Sequence, residues 1–84
     1  MTPIEFGPYS DYHIWFKLTD GRELSGVVLL PSEQKKAYTL YDFIPTANMI
    51  EWKLAEKKEN KEMMNRLRGE IDITNIVWAD LLKY

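Results

Sequence analysis

Residues 18–28 decide the fold, and they read Leu-Thr-Asp-Gly-Arg-Glu-Leu-Ser-Gly-Val-Val. Asp20 and Gly21 are a strong signal for a two-residue hairpin, because glycine tolerates the positive φ of a type I′ turn. Gly26 interrupts the apolar strand that returns from this turn, and a glycine inside a strand indicates a bulge or a sharp bend. The stretch therefore predicts a tight hairpin whose second strand bends strongly, as the strands of a small barrel must.

Alternation of apolar and polar residues predicts strands on both sides of this hairpin. The first strand covers residues 12–19 and the return strand covers residues 22–30. A third strand is predicted over residues 36–43. It carries aromatic residues on both faces, so the sequence does not show which face enters the core. In the first strand, the face predicted to enter the core is Ile14, Phe16 and Leu18, and the opposite face is His13, Trp15 and Lys17.

A helical insertion is predicted over residues 46–68. Asn48 and the glutamate three residues later have the spacing of a capping box at its start. Ile50 and Leu54 lie one helical turn apart on the predicted core-facing stripe, and Trp52 lies on the flank of this stripe, in a position to wedge between the helix and the barrel. Residues 49–54 also alternate partly like a strand, which is the competing interpretation of this segment.

The rest of the insertion leaves open whether it is one helix or two. The wholly polar run of residues 56–62 fits the exposed middle of one long helix. Asn60 favours a break instead, because asparagine is a poor interior residue of a helix and a good cap. Gly69 predicts the C-terminal stop, and two closing strands follow over residues 70–73 and 76–83, joined by about one turn.

These elements predict one α+β domain over residues 1–84. We expect a small, bent antiparallel barrel of about five short strands, with a helical insertion before the last two strands. A short strand joined to the last strand by about one turn is a feature of SH3-like barrels. The predicted parts are an irregular lead-in over residues 1–11, a three-strand meander over residues 12–44, the insertion over residues 46–68 and the closing strands over residues 70–83.

Residues 18–28 also resemble the first motif of Sm-like proteins, which is an apolar strand, a glycine turn, a spacer and a second glycine before apolar residues. Leu67-Arg68-Gly69 is similar to the second motif of that family. The resemblance implies a small barrel and, as an alternative function, a nucleic-acid-binding oligomer. Residues 29–34 lack the Asp and the Asn that help form the RNA-binding loop of the family.

The composition excludes several classes of protein. The 84 residues include no Cys and one His, which excludes a disulfide framework, a thiolate zinc site and a cysteine nucleophile. The four glycines are scattered and form no phosphate-binding loop. The longest apolar run, residues 27–30, is far short of a membrane span, and the start lacks the regions of a signal peptide. We therefore expect a cytoplasmic protein with no metal, no cofactor and no membrane partner.

The charge of the chain argues against general nucleic-acid binding. The net charge is −2 and the sequence pI is about 5.3, whereas nucleic-acid binders carry a basic footprint. Residues 45–68 hold six bases and four acids, a charge of +2, and the remaining residues hold five bases and nine acids, a charge of −4. We interpret the basic segment as a solvated helix face.

No catalytic set is visible in the sequence, so we expect a protein that is not an enzyme. His13 is the one side chain suited to proton transfer near neutral pH, and we interpret it as an exposed or edge-strand histidine. Trp78 is assigned to the core. The predicted function is a non-enzymatic interaction module that acts through protein–protein contacts, by self-association or by docking of another chain. A ligand pocket between subunits is a third hypothesis. The predicted binding residues are His13, Trp15, Lys17, Trp52 and Arg68.

Overall fold

The computed structural model describes residues 1–31 and 37–82. The first residue of the predicted third strand, residue 36, and the last of the predicted closing strands, residue 83, lie outside the described residues. The strands are β1 His13–Leu18, β2 Glu23–Leu29, β3 Leu40–Pro45, β4 Gly69–Asp72 and β5 Ile76–Leu81, and the helices are α1 Pro3–Phe6, α2 Met49–Lys57 and α3 Lys61–Leu67. Three short 3₁₀ turns cover Gly7–Tyr9, Thr46–Asn48 and Ile73–Asn75.

The five strands form one antiparallel sheet in the order β4-β3-β2-β1-β5. The α+β class and the antiparallel sheet are confirmed. The sheet is open in the part of the chain that the structure describes, with β4 at one edge and β5 at the other. The third strand begins at Leu40 and continues to Pro45, later than predicted, because a turn occupies residues 37–39.

The hairpin between β1 and β2 has a three-residue loop, and the predicted two-residue type I′ turn is wrong. Leu18 N–H donates to the Arg22 carbonyl at 2.8 Å, and Gly21 N–H donates to the Leu18 carbonyl at 2.9 Å. A type I′ turn needs positive φ at both central residues, but here Gly21 has φ +91° and Asp20 does not have a positive φ. The Asp20 carboxylate accepts a hydrogen bond from the Arg22 amide at 3.0 Å, which closes the loop locally.

Gly26 is the point where β3 approaches β2 most closely. The register of β1 and β2 continues through the Ile14–Gly26 pair without a shift, so this glycine makes no bulge. A Cβ at Gly26 would lie 2.2 Å from the Ile44 carbonyl oxygen and 2.7 Å from a ring carbon of Phe43. Only glycine leaves space for this contact. Gly26 also pairs with Pro45, the last residue of β3.

The main core lies on one face of the sheet. The predicted core face of β1 is confirmed, since its three apolar side chains are buried. The Phe6 ring from α1 is fully buried and meets the Tyr41 ring edge-on, with centroids 5.6 Å apart. The buried residues of the main core are Phe6, Ile14, Phe16, Leu18, Val28, Tyr41, Ile73, Ile76 and Ala79.

A second, smaller core lies on the opposite face of the sheet, which we call the outer face. The helices α2 and α3 cover part of this face, where Ile44, Trp52 and Leu67 are buried together. Strand β3 therefore buries Tyr41 in the main core and Ile44 beneath the helices. Two buried faces explain why the sequence of this strand does not indicate a single core face.

The helix α2 faces the sheet through different residues than predicted. Trp52 and Ala55 are the buried side chains of this helix, three residues apart. Ile50 is 77% exposed and Leu54 is 53% exposed, so the prediction that this pair faces the core is wrong. Trp52 has the larger apolar surface, and its burial turns the Ile50 side of the helix to solvent.

The insertion forms two helices, as the residue Asn60 indicates. Its side chain accepts a hydrogen bond from the Met63 amide at 3.2 Å, which caps α3. The predicted capping box at Asn48 is wrong, because Asn48 Nδ2 instead donates to the Leu67 carbonyl at 3.2 Å and so joins the start of α2 to the end of α3. Gly69 begins β4 directly after the helix.

Residues 1–11 are more ordered than the predicted irregular lead-in. Thr2 and Glu5 form a reciprocal capping box at the start of α1, and Pro3 occupies the first turn. The 3₁₀ turn Gly7–Tyr9 follows. This short helix places Phe6 in the main core and leaves Ile4 90% exposed.

Gly26→Ala is expected to lower the free energy of unfolding by about 3 kcal/mol, because the new methyl group would overlap the Ile44 carbonyl. The matched control is Gly7→Ala, since a Cβ at Gly7 has no atom within 4 Å, and its effect is expected within about 0.5 kcal/mol. Urea denaturation measures both values. Equal effects of the two substitutions would contradict the close approach at Gly26.

Asp72→Asn is expected to reduce the loss of stability in acid. Hydrogen bonds from the Thr74 hydroxyl and the Thr74 amide lower the pKa of Asp72. A lowered pKa in the folded state means that the stabilisation is present above about pH 4 and is lost as the pH falls through the folded-state value. The contribution is below about 1 kcal/mol because the group is solvated. Urea midpoints from pH 7 to pH 2 measure this contribution of Asp72 to stability. Identical pH profiles for wild type and variant would refute the prediction.

Candidate functional site

The five predicted binding residues lie in three places. Trp15 and Lys17 lie on the outer face of β1, beyond the helices. His13 and Trp52 line a groove between α2 and the outer face. Arg68 lies between α3 and β4 and pairs with a buried carboxylate. Four of these residues therefore lie on the outer face or along its groove, where Trp52 is itself buried, and the fifth makes a structural contact.

Two tryptophans form an aromatic pair on the outer face of β1 and β5. The Trp15 and Trp78 rings are perpendicular, at 90°, with centroids 5.0 Å apart. The register pairs Lys17 with Trp78, so the tryptophans are diagonal neighbours across the two strands. Trp15 is 42% exposed. This pair presents aromatic surface to solvent on a sheet that fixes its orientation.

The assignment of Trp78 to the core is wrong. On β5 the side chains that enter the main core are Ile76 and Ala79. The register of β1 and β5 shifts between Lys17 and Leu18, so that Leu18 pairs with Ile76. This irregularity places Trp78 on the outer face. The small residue Ala79 is the sequence signal for the correct face, because a small residue fits opposite the buried Phe16.

The strand β5 forms an edge with exposed apolar side chains. In the described part of the chain, β5 pairs with β1 on one side, and its other side is an edge of the sheet. Val77 is 55% exposed and Leu81 is 48% exposed. An exposed apolar edge strand is a template for pairing with another strand. The edge lies directly beside the aromatic pair.

A groove of about 580 Å³ lies between α2 and the outer face. Its floor includes Val27 and Ile44, and Trp52 contributes to the wall on the α2 side. At one end, the Thr46 hydroxyl is 2.8 Å from His13 Nε2 and 2.8 Å from the Ser25 hydroxyl. This chain of polar groups joins β1, β2 and the start of the helical insertion.

Arg68 forms an ion pair with a nearly buried carboxylate. Its Nη1 lies 3.3 Å from Asp42 Oδ2, and a second guanidinium nitrogen contacts Asn65. The Asp42 side chain is 5% exposed and the Arg68 side chain is 26% exposed. Burial of a carboxylate requires a partner for its charge, so the guanidinium is committed to the protein interior.

The described residues provide neither a metal centre nor a membrane-spanning helix. No three His, Asp or Glu side chains among residues 1–31 and 37–82 are arranged to hold a metal ion. Within the same residues, no helix has the length and apolar character needed to cross a membrane.

Comparison with protein-family models gave no match, and comparisons with curated proteins and with solved structures gave none.

Arg68→Gln is expected to lower the free energy of unfolding by about 2 kcal/mol, because it removes a charged partner of a buried carboxylate. The matched control is Arg66→Gln. Arg66 pairs with Glu62 at 2.9 Å, but both side chains are more than two-thirds exposed, so a change within about 0.5 kcal/mol is expected. Urea denaturation distinguishes the two, and a small effect at Arg68 would show that the buried pair is not stabilising.

Proposed function

We propose that this protein is a non-enzymatic interaction module that binds another protein through the aromatic pair and the β5 edge. The observation that carries the proposal is the perpendicular contact of Trp15 and Trp78 beside the outer edge of β5. The partner adds an extended strand to β5, and its side chains pack on the tryptophans. Main-chain hydrogen bonds supply affinity in this binding mode, and side-chain contacts supply specificity.

The energetics of tryptophan support this proposal. Tryptophan is enriched among residues that dominate protein–protein binding energy. Contact between the two rings restricts both side chains before a partner arrives, and this lowers the entropic cost of binding. Val77 and Leu81 add exposed apolar side chains along the β5 edge, with Leu81 on the face opposite the tryptophans because it pairs with Ile14. Lys17 and Asp80 lie on the same face and provide a charged rim.

A second candidate function is a nucleic-acid-binding oligomer with an SH3-like or Sm-like barrel. It is supported by the short strand β4, which is joined to β5 by the single 3₁₀ turn Ile73–Asn75, and by the tight contact at Gly26. The net charge of −2 counts against it. Light scattering combined with the 260/280 nm absorbance ratio separates the two functions, because this second candidate requires a multi-subunit peak that binds nucleic acid in a salt-dependent manner.

Trp15→Ala is expected to weaken partner binding at least about tenfold, because it removes an exposed anchor of the proposed interface. The matched control is Tyr38→Ala. Tyr38 is an aromatic residue that is 83% exposed and precedes β3, away from β5. Affinity capture with each variant identifies the partner, and titration with the purified partner gives the dissociation constants.

Amide hydrogen exchange of the purified complex tests the strand pairing. Among residues 77–81, the amides that do not donate to β1 are expected to gain protection on binding, because they would enter a new ladder. Ile76 is left out because its amide already donates to the Ile73 carbonyl. A partner that binds wild type, Trp15→Ala and Tyr38→Ala equally, with no protection of β5, would refute the proposed interface. A homodimer that is lost in Trp15→Ala would identify the partner as a second copy of this chain.

A further inference from the structure

We propose that the groove between α2 and the outer face binds a small aromatic molecule that carries an amino group. This site is separate from the aromatic pair and is independent of the proposed protein-binding function. Its volume of about 580 Å³ lies within the range of about 300–1,000 Å³ for small-molecule sites. The site joins an apolar floor to a polar end, which is the usual composition of such sites.

The apolar part of the groove suits an aromatic ring. The β2 side chains Val27 and Leu29 and the β3 side chain Ile44 form the floor, and Met49 and Trp52 of α2 contribute the wall. None of these side chains carries a charge. A flat ring between a sheet and a helix would bury both of its faces, which favours an aromatic ligand over a flexible one because less conformational entropy is lost.

The polar end of the groove is able to accept a hydrogen bond from a ligand. Thr46 is exposed, and its hydroxyl oxygen has one hydrogen and two lone pairs. Two of these three sites are engaged by His13 and Ser25. Whenever Thr46 donates its own hydrogen to one of these neighbours, the site that remains is an acceptor. An amino group provides the matching donor.

The charges that line the groove favour a cation. Asp11 and Glu56 are acidic and Lys53 is basic, so these three side chains carry a formal charge of −1. Asp11 has φ +71°, and its amide donates to the Val28 carbonyl at 3.0 Å, which attaches this residue to β2 beside the groove. Aspartate and asparagine tolerate this left-handed backbone better than other non-glycine residues.

Two probes of the same size and opposite charge test the proposal. They are 2-phenylethylamine and 3-phenylpropionate, titrated into the full chain near pH 7 while the amide and methyl signals are followed by NMR. The amine is expected to shift the signals of Val27, Leu29 and Ile44 in a saturable manner. The carboxylate is expected to bind about tenfold more weakly or worse, because its charge is repelled by the acidic lining.

Two substitutions separate the contribution of the Thr46 hydroxyl to binding from that of the Asp11 charge. Thr46→Val keeps the shape of the side chain and removes the hydroxyl, so the amine is expected to bind about fivefold more weakly. Asp11→Asn keeps the tolerance for the left-handed backbone and removes the charge. It is therefore expected to narrow the difference in affinity between the amine and the carboxylate. Thr19→Val, in the β1–β2 loop, is the matched control and is expected to leave binding unchanged.

The proposal is overturned if the two probes bind equally, if neither gives saturable shifts at the groove, or if Thr46→Val binds the amine as well as wild type does. Shifts confined to Trp15 and Trp78 would also overturn it, because they would place the probe on the aromatic pair. The NMR spectrum of each variant without a probe verifies its fold. None of these results depends on whether a protein partner binds β5.

Discussion

The contact between Gly26 and the backbone of β3 is the constraint on which the rest of the structure depends. The Ile44 carbonyl oxygen occupies the place where any side chain at residue 26 would begin. The same glycine pairs with Pro45, where the chain leaves the sheet and enters the helical insertion. The position of Thr46, and therefore the start of the helices that cover the outer face, follows from this one contact.

The helices cover only part of the outer face, and this leaves two candidate surfaces, the groove along α2 and the aromatic pair. The helices bury Ile44 and Trp52 next to β3 and leave the groove along α2. They do not reach the far edge of the sheet, where Trp15 is 42% exposed and meets Trp78. One layer of two short helices is too small to shield five strands, so the incomplete second layer accounts for both surfaces.

Local sequence patterns predicted the strands and helices of this fold more accurately than they predicted the contacts between them. Alternation identified the core face of β1, and Asn60 indicated the break between two helices. The sequence placed Trp52 between the helix and the sheet but assigned the core-facing stripe of α2 to Ile50 and Leu54, because it does not show that β3 has a second buried face. The groove was not predictable, since His13 and Thr46 are 33 residues apart, and their contact depends on the path of β3 past Gly26.

The most direct test of this account is the solvent exposure of the three tryptophans in the isolated protein. Fluorine NMR of 5-fluorotryptophan, with a soluble paramagnetic agent and Trp→Phe variants for assignment, measures each side chain separately. The account predicts the strongest relaxation for Trp15 and the weakest for Trp52, whose exposure is 7%. Equal protection of Trp15 and Trp52 would contradict the central claim that the β1–β5 part of the outer face is open for a partner.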